Sequence, residues 1–216
     1  MMSRAKTALL MLAVALASGC AEKAPPPASG TAPAAAPAPR AAKVLDAKRG
    51  TPVLDGKLDQ PVWHAASRTE PFVAERGARP VPHTEARAAW DDDALYLELY
   101  VADDELLGTD HVRIELDGDR SIEASPSGKL TCKFQGADDC NALGIRSGFD
   151  VDGDVDLDAK EDEEWSVIVA VPWRTLGVAE RPKELPVVLR RGDSSLGKPV
   201  REIWSRGPSR IRLVDG

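Results

Sequence analysis

Apolar side chains recur at every second position over much of the chain, and a period of two predicts β-strands. In "TEARAAWDDDALYLELYVADDE", Ala86, Ala88 and Trp90 share one face, with Glu85 and Arg87 on the other. After a turn at residues 91–93, Leu95, Leu97, Leu99 and Val101 alternate with Tyr96, Glu98 and Tyr100. The two runs predict an antiparallel hairpin. In "DHVRIELDGD", Val112, Ile114 and Leu116 face inward before an Asp117-Gly118 turn. "EEWSVIVAVPW" sends Trp165, Val167, Val169 and Val171 inward, and Pro172 ends the run because it has no N–H to give a ladder. "LPVVLR" and "RIRLV" supply late strands, and no segment carries a long helical period. Many short strands with one apolar face predict an all-β fold, an antiparallel, jelly-roll-like β-sandwich. One or two short helical turns are expected. Asp59 is placed to cap a turn through Gln60, Pro61, Val62 and Trp63, and "WRTLG" forms another, closed by Gly177.

The pattern fails at the N-terminus. Arg4 and Lys6 precede an apolar run over residues 7–17, then small residues ending at Cys20, which is the layout of a secretory signal. "LASGC" resembles a bacterial lipobox, with Ala17 where Leu is commoner, so residues 1–20 are expected to be a lipoprotein signal and Cys20 the lipidated residue. Residues 21–43 are dominated by Ala and Pro and lack apolar periodicity, which predicts a disordered, extended linker between anchor and domain. Residues 44–216 are expected to fold as one domain. The expected location is therefore a bacterial cell envelope, facing the periplasm or the cell surface. A formal net charge of −7 argues against a nucleic-acid partner. Cys132 and Cys140 remain as a pair after export and are expected to form a disulfide.

"DGKLDQPVWHAA", "AAWDDDALYLELYVADDE", "DHVRIELDGD", "EEWSVIVAVPWRTLG" and "EIWS", in that order, resemble the family 9 carbohydrate-binding module-like domains. The resemblance spans roughly residues 44–216 and implies that Trp63 closes a core edge. Sugar binders of that family sandwich a terminal sugar between two Trp residues. One would precede the strand beginning at Asp110, where Leu107 or its neighbours stand, and the other would follow Trp204, where "SRGPSRIRL" has none. The Glu and Arg that hold hydroxyls in those binders correspond to Arg113 and Glu123, with the charges exchanged, and a cross-strand ion pair accounts for the two equally well. The Trp residues at 63, 90, 165, 173 and 204 mostly fall on the inward phase and are expected in the core.

Two kinds of site follow. A carbohydrate surface would draw on Tyr96, Tyr100, Arg113 and Glu123, with the "RRGDSS" loop carrying Arg190, Arg191 and Asp193. Calcium is the one cofactor the composition suggests. Counting Asp150 as position one, carboxylates follow at Asp152, Asp154, Asp156, Asp158 and Glu161, the spacing of an EF-hand loop. Gly153 stands at position four instead of six and no helices flank it, which leaves a sandwich-loop calcium site or a solvated acidic face. His64, His83 and His111 lack ligand spacing, all Met residues lie in the signal, and no hydrolase, metalloprotease or phosphate-loop motif occurs. The expected function is a non-catalytic envelope lipoprotein that binds polysaccharide. The alternative is a structural or protein-interaction lipoprotein that has lost the sugar site.

Overall fold

The computed structural model describes residues 42–74, 83–103, 105–117, 119–156, 163–178, 180–194, 200–206 and 208–215. Cys20, the signal segment and most of the linker therefore lie outside the described residues. The strands are β1 (Lys43–Arg49), β2 (Val73–Ala74), β3 (Thr84–Trp90), β4 (Ala94–Asp103), β5 (His111–Leu116) and β6 (Arg120–Ala124). They continue as β7 (Leu130–Lys133), β8 (Arg146–Asp152), β9 (Glu163–Pro172), β10 (Glu184–Asp193), β11 (Val200–Ile203) and β12 (Ser209–Val214). One short helix, α1 (Pro61–Ala65), lies between β1 and β2.

The strands run in the order β7-β6-β5-β10-β12-β1-β3-β4-β9-β8, with β11 joining β10 to β2. Strand β10 turns the corner of the sandwich. Residues 184–186 pair with β12 in the first layer, and residues 187–192 pair with β5 in the second. Most pairings are antiparallel, as the alternating hairpins predict, but β1 runs parallel to both β12 and β3. The sheet is thus mixed. Parallel neighbours need a long connection, and β1 is joined to β3 by the whole segment 50–83, which carries α1.

Between the layers, Ala86, Trp90, Leu97, Leu99, Trp165, Val169 and Ile211 meet Val112, Ile114, Ile122, Leu189 and Trp204 in one apolar core. All five Trp residues are buried, as expected. The Cys132–Cys140 disulfide forms and ties β7 to the following loop, its Cα atoms 5.3 Å apart. The turn after Pro172 closes at Gly177, which adopts φ +65°.

Part of the far face of the first layer is covered. Every residue of β3 is buried, including Glu85 and Arg87. The 50–69 segment covers this face, and Trp63 packs there against Ala89, Ala94, Tyr96, Ile168 and Ala170 in a second, smaller core. Its contact is so close that a Cβ on Gly148 would sit 2.1 Å from the Leu54 carbonyl oxygen. Asp59 does not cap α1. Gln60 occupies that position without a side-chain cap, and its amide instead bonds both backbone groups of Val53, at 2.7 and 2.9 Å.

Candidate functional site

On the second layer, alternation divides each strand between core and solvent. Val112, Ile114 and Leu116 of β5 point inward, which turns His111, Arg113 and Glu115 outward. Glu123 lies directly across from Arg113 on β6, and Arg190 lies directly across from it on β10. Gly192 pairs with His111 on one side and Arg201 on the other. These residues line a cavity of about 450 Å³.

Two arginines directly opposite each other repel. Glu115 lies between them: the Arg190 Nε donates to its Oε1 at 3.2 Å, and the Arg113 Nε lies 3.1 Å from the same oxygen without hydrogen-bond alignment. Glu123 stands 3.8 Å from Arg113 Nη1. Gly192 has a steric purpose, because a Cβ there would come within 2.3 Å of the His111 ring. The imidazole lies against the bare strand and its Nδ1 meets the Thr109 carbonyl at 3.1 Å. Spacing did not single out His111, Glu115 or Arg201, although the outward phase of Arg113 on β5 was the signal that finds the first two.

Arg191 borders this groove between Arg190 and Gly192, but its side chain and that of Asp193 turn away from it. "RRGDSS" is mostly strand, so alternation carries them into the interior, where each side chain is at most 5% exposed. Arg191 Nη2 donates to Asp103 at 2.6 Å and Asp193 at 3.3 Å, while Nη1 donates to the Ala102 carbonyl at 3.0 Å and Thr84 at 3.3 Å. Glu202 lies 3.9 Å from Nη1. Asp110 stands alongside and accepts from the backbone N–H groups of Leu107 and Ser194. Burial pushes the carboxyls of Asp103 to about 6 and Glu202 to about 7, with Arg191 pulling the other way. Burial also raises Asp110. Oxygens of Asp103, Asp110 and Asp193 gather within 4.8 Å of one another, and the guanidinium of Arg191 supplies the positive charge they face.

The two tyrosines part company. Tyr96 is buried beneath Trp63 and its hydroxyl donates to Asp91 at 2.7 Å, so it offers no surface to a ligand. Burial, reinforced by Asp91, lifts that phenol well above its ordinary range. Tyr100 is half-buried, donates to Glu164 and lines a separate hollow of about 290 Å³ on the first layer, with Lys57, Asp150, Asp152 and Ser166. It cannot join Arg113, which belongs to the other sheet.

The acidic stretch is also divided. Asp150 and Asp152 project from β8 toward that hollow, and Asp154 is exposed. Asp156 is already bonded: its Oδ1 accepts from Gly108 N–H at 2.8 Å, and its own N–H donates to the Leu106 carbonyl at 2.8 Å. Asp158 and Glu161 lie outside the described residues.

No family model matches the chain, and no curated protein matches it. Solved structures do. A family 9 carbohydrate-binding module from Caldicellulosiruptor kristjanssonii in complex with glucose is similar with a TM-score of 0.59 at 17% identity, over 81% of this chain and 97% of that one. The same source's module in complex with cellotriose gives 0.57 at 16%, over 81% and 95%. A structure from Bacteroides uniformis gives 0.58 at 13%, over 81% and 100%. The fold is that of family 9 carbohydrate-binding modules.

Proposed function

We propose that this chain is a non-catalytic, envelope-anchored lipoprotein whose sandwich binds carbohydrate in the groove of His111, Arg113, Glu115, Glu123, Arg190 and Arg201. The observation that carries this reading is the cavity of about 450 Å³ on the exposed face of the second layer. Its lining offers both donors and acceptors, which is what a ring of hydroxyls requires. The similar modules from Caldicellulosiruptor kristjanssonii hold glucose and cellotriose, which supports a saccharide as the ligand class. A lipid on Cys20 would tether the domain through the Ala/Pro-rich linker, and both rest on the N-terminal sequence pattern.

One observation favours the alternative, a protein-interaction lipoprotein without a sugar site. No Trp, Tyr or Phe lines the groove, so it has no flat apolar ring on which a neutral sugar would stack. The two readings separate in thermal melts of the intact chain with a panel of soluble glycans, each run with and without a calcium chelator. A glycan at a hundred times its Kd adds about 2.7 kcal/mol of stability. The expected result is a rise in midpoint for at least one glycan, lost in Arg113→Ala. A panel that shifts nothing, with Arg113→Ala behaving like the parent, removes the carbohydrate reading. In the chelator arm an unchanged midpoint is expected, since Asp156 already bonds the Gly108 loop. A drop would instead establish the stretch from Asp150 as a calcium site.

A further inference from the structure

Resting on the carbohydrate reading, we infer that the groove selects acidic saccharides, chains that carry a uronate carboxylate on successive sugar units. The argument begins with register. Arg113 on β5, Arg190 on β10 and Arg201 on β11 stand on three consecutive strands and line one cavity. Neighbouring strands lie about 4.8 Å apart, and Arg201 pairs two residues along β10 from Arg190, so the three arginines form a diagonal row across the strands, their Cα atoms spread over roughly 12 Å. Lys133 joins the same face, since it pairs with Ser121, which pairs with Glu115.

Among the described residues that line the cavity, the outward-facing Arg113, Arg190 and Arg201 stand with two carboxylates, Glu115 and Glu123. One oxygen of Glu115 lies near both Arg113 and Arg190, and Glu123 stands 3.8 Å from Arg113. Arg201 has no ion-pair partner among the described residues and is exposed. A locally positive face on a chain of net charge −7 is a concentration of charge against the molecule's own field. An anion in the cavity would meet the guanidiniums of Arg113 and Arg201 that border it, and hydrogen bonds between two charged groups are the strong ones.

Neutral sugars meet the opposite situation. They bring no charge to meet these guanidiniums, and the groove has no aromatic platform to hold their C–H faces. A carboxylate presents two acceptor oxygens in the geometry a guanidinium fork accepts, while the sugar hydroxyls around it suit Glu123 and the His111 imidazole. The occupant that fits is therefore both anionic and polyhydroxylated.

The test is calorimetric titration of the intact chain with oligogalacturonate and oligoalginate, with neutral cello- and xylo-oligosaccharides of matched length, and with sodium sulfate. The uronates are expected to bind, to weaken about tenfold on raising salt from low ionic strength to several times the physiological level, and to lose about tenfold in Arg113→Gln. Because Arg113 also steadies its neighbours, Arg201→Gln is the second variant. It breaks no described ion pair and is expected to weaken uronate binding severalfold with an unchanged melting midpoint. Neutral oligosaccharides binding as well as uronates, with no salt dependence, overturn the acidic selectivity and leave the carbohydrate reading standing. Sulfate binding as tightly as the uronates overturns the proposal in favour of a simple anion site. Silence from every saccharide sinks both readings together.

Discussion

Glu98 stands in the middle of β4 with its side chain wholly buried, and neither carboxyl oxygen accepts a hydrogen bond. The nearest cation, Arg87 Nε, is 3.9 Å away, and Arg87 gives its own hydrogen bond to Glu85 at 2.8 Å. The two carboxyls respond in opposite ways. Burial acts to raise Glu85, but hydrogen bonds from His83 and Arg87 prevail and hold it below the ordinary carboxylate value. Glu98 has only the distant charge, and burial lifts it from 4.5 to about 8. Its folded pKa exceeds its unfolded one, so the folded state binds the extra proton. The stability this proton confers is complete below pH 4.5 and is lost as pH rises to about 8. Glu98→Gln keeps the neutral shape and removes that loss. Its melting midpoint is expected to match the parent near pH 5 and to exceed it by several degrees at pH 9, at about 2–4 °C per kcal/mol. An equal offset at both pH values would show that Glu98 is not the titrating group. In sequence, Glu98 looks like an ordinary outward residue between Leu97 and Leu99, because period two tells which face a side chain takes and not what covers that face.

The element that changes the meaning of that face is the segment carrying α1. It is too short a helix to persist alone, since isolated helices of a single turn do not repay their nucleation. Trp63 supplies the reason it stays: its indole sits on Ala89, Tyr96 and Ala170, small or flat partners that leave room for a large ring. Ser166 Oγ adds a hydrogen bond of 2.7 Å to the Gly56 carbonyl further along the same segment. Trp63→Ala is expected to cost about 3–5 kcal/mol. Because the main core lies on the other side of the sheet, the variant should still fold, with Tyr96 newly reachable by solvent. Tyrosine quenching by a soluble quencher reports this. A variant that melts like the parent would mean that the segment rests on the sheet without stabilising it. The Pro-Val-Trp turn was readable in sequence. Its seat was not, because the partners come from three strands distant along the chain.

For the whole molecule, charge is distributed against its own average. Acids crowd the hollow near Tyr100, while the cations gather across β5, β10 and β11. Between the layers, Arg191 holds Asp103 and Asp193 with Glu202 nearby, so the same strand that offers Arg190 to solvent secures the edge of the interior through the next residue. The tether is a separate matter of sorting. If Cys20 carries the lipid, Cys20→Ser should move the chain from the membrane fraction to the soluble fraction without altering its melting midpoint. A variant that still sediments with membranes would assign the attachment to something else.

Alternation along each strand determined the layered all-β fold and the inward placement of the indoles, because these depend on local periodicity, and the cysteine count after export determined the pairing of Cys132 with Cys140. Alternation also set Arg113, Glu123 and Arg190 on outward phases. Tertiary structure decided which outward phases meet solvent. It buried Tyr96 under Trp63, enclosed Arg191 and Asp193 among Asp103, Thr84 and Glu202 near the end of β10, and brought His111 and Arg201 to the groove through Gly192. Side-chain direction is a property of neighbouring residues in one strand, whereas exposure depends on whatever distant segment settles on that face, and only the closed fold selects that segment.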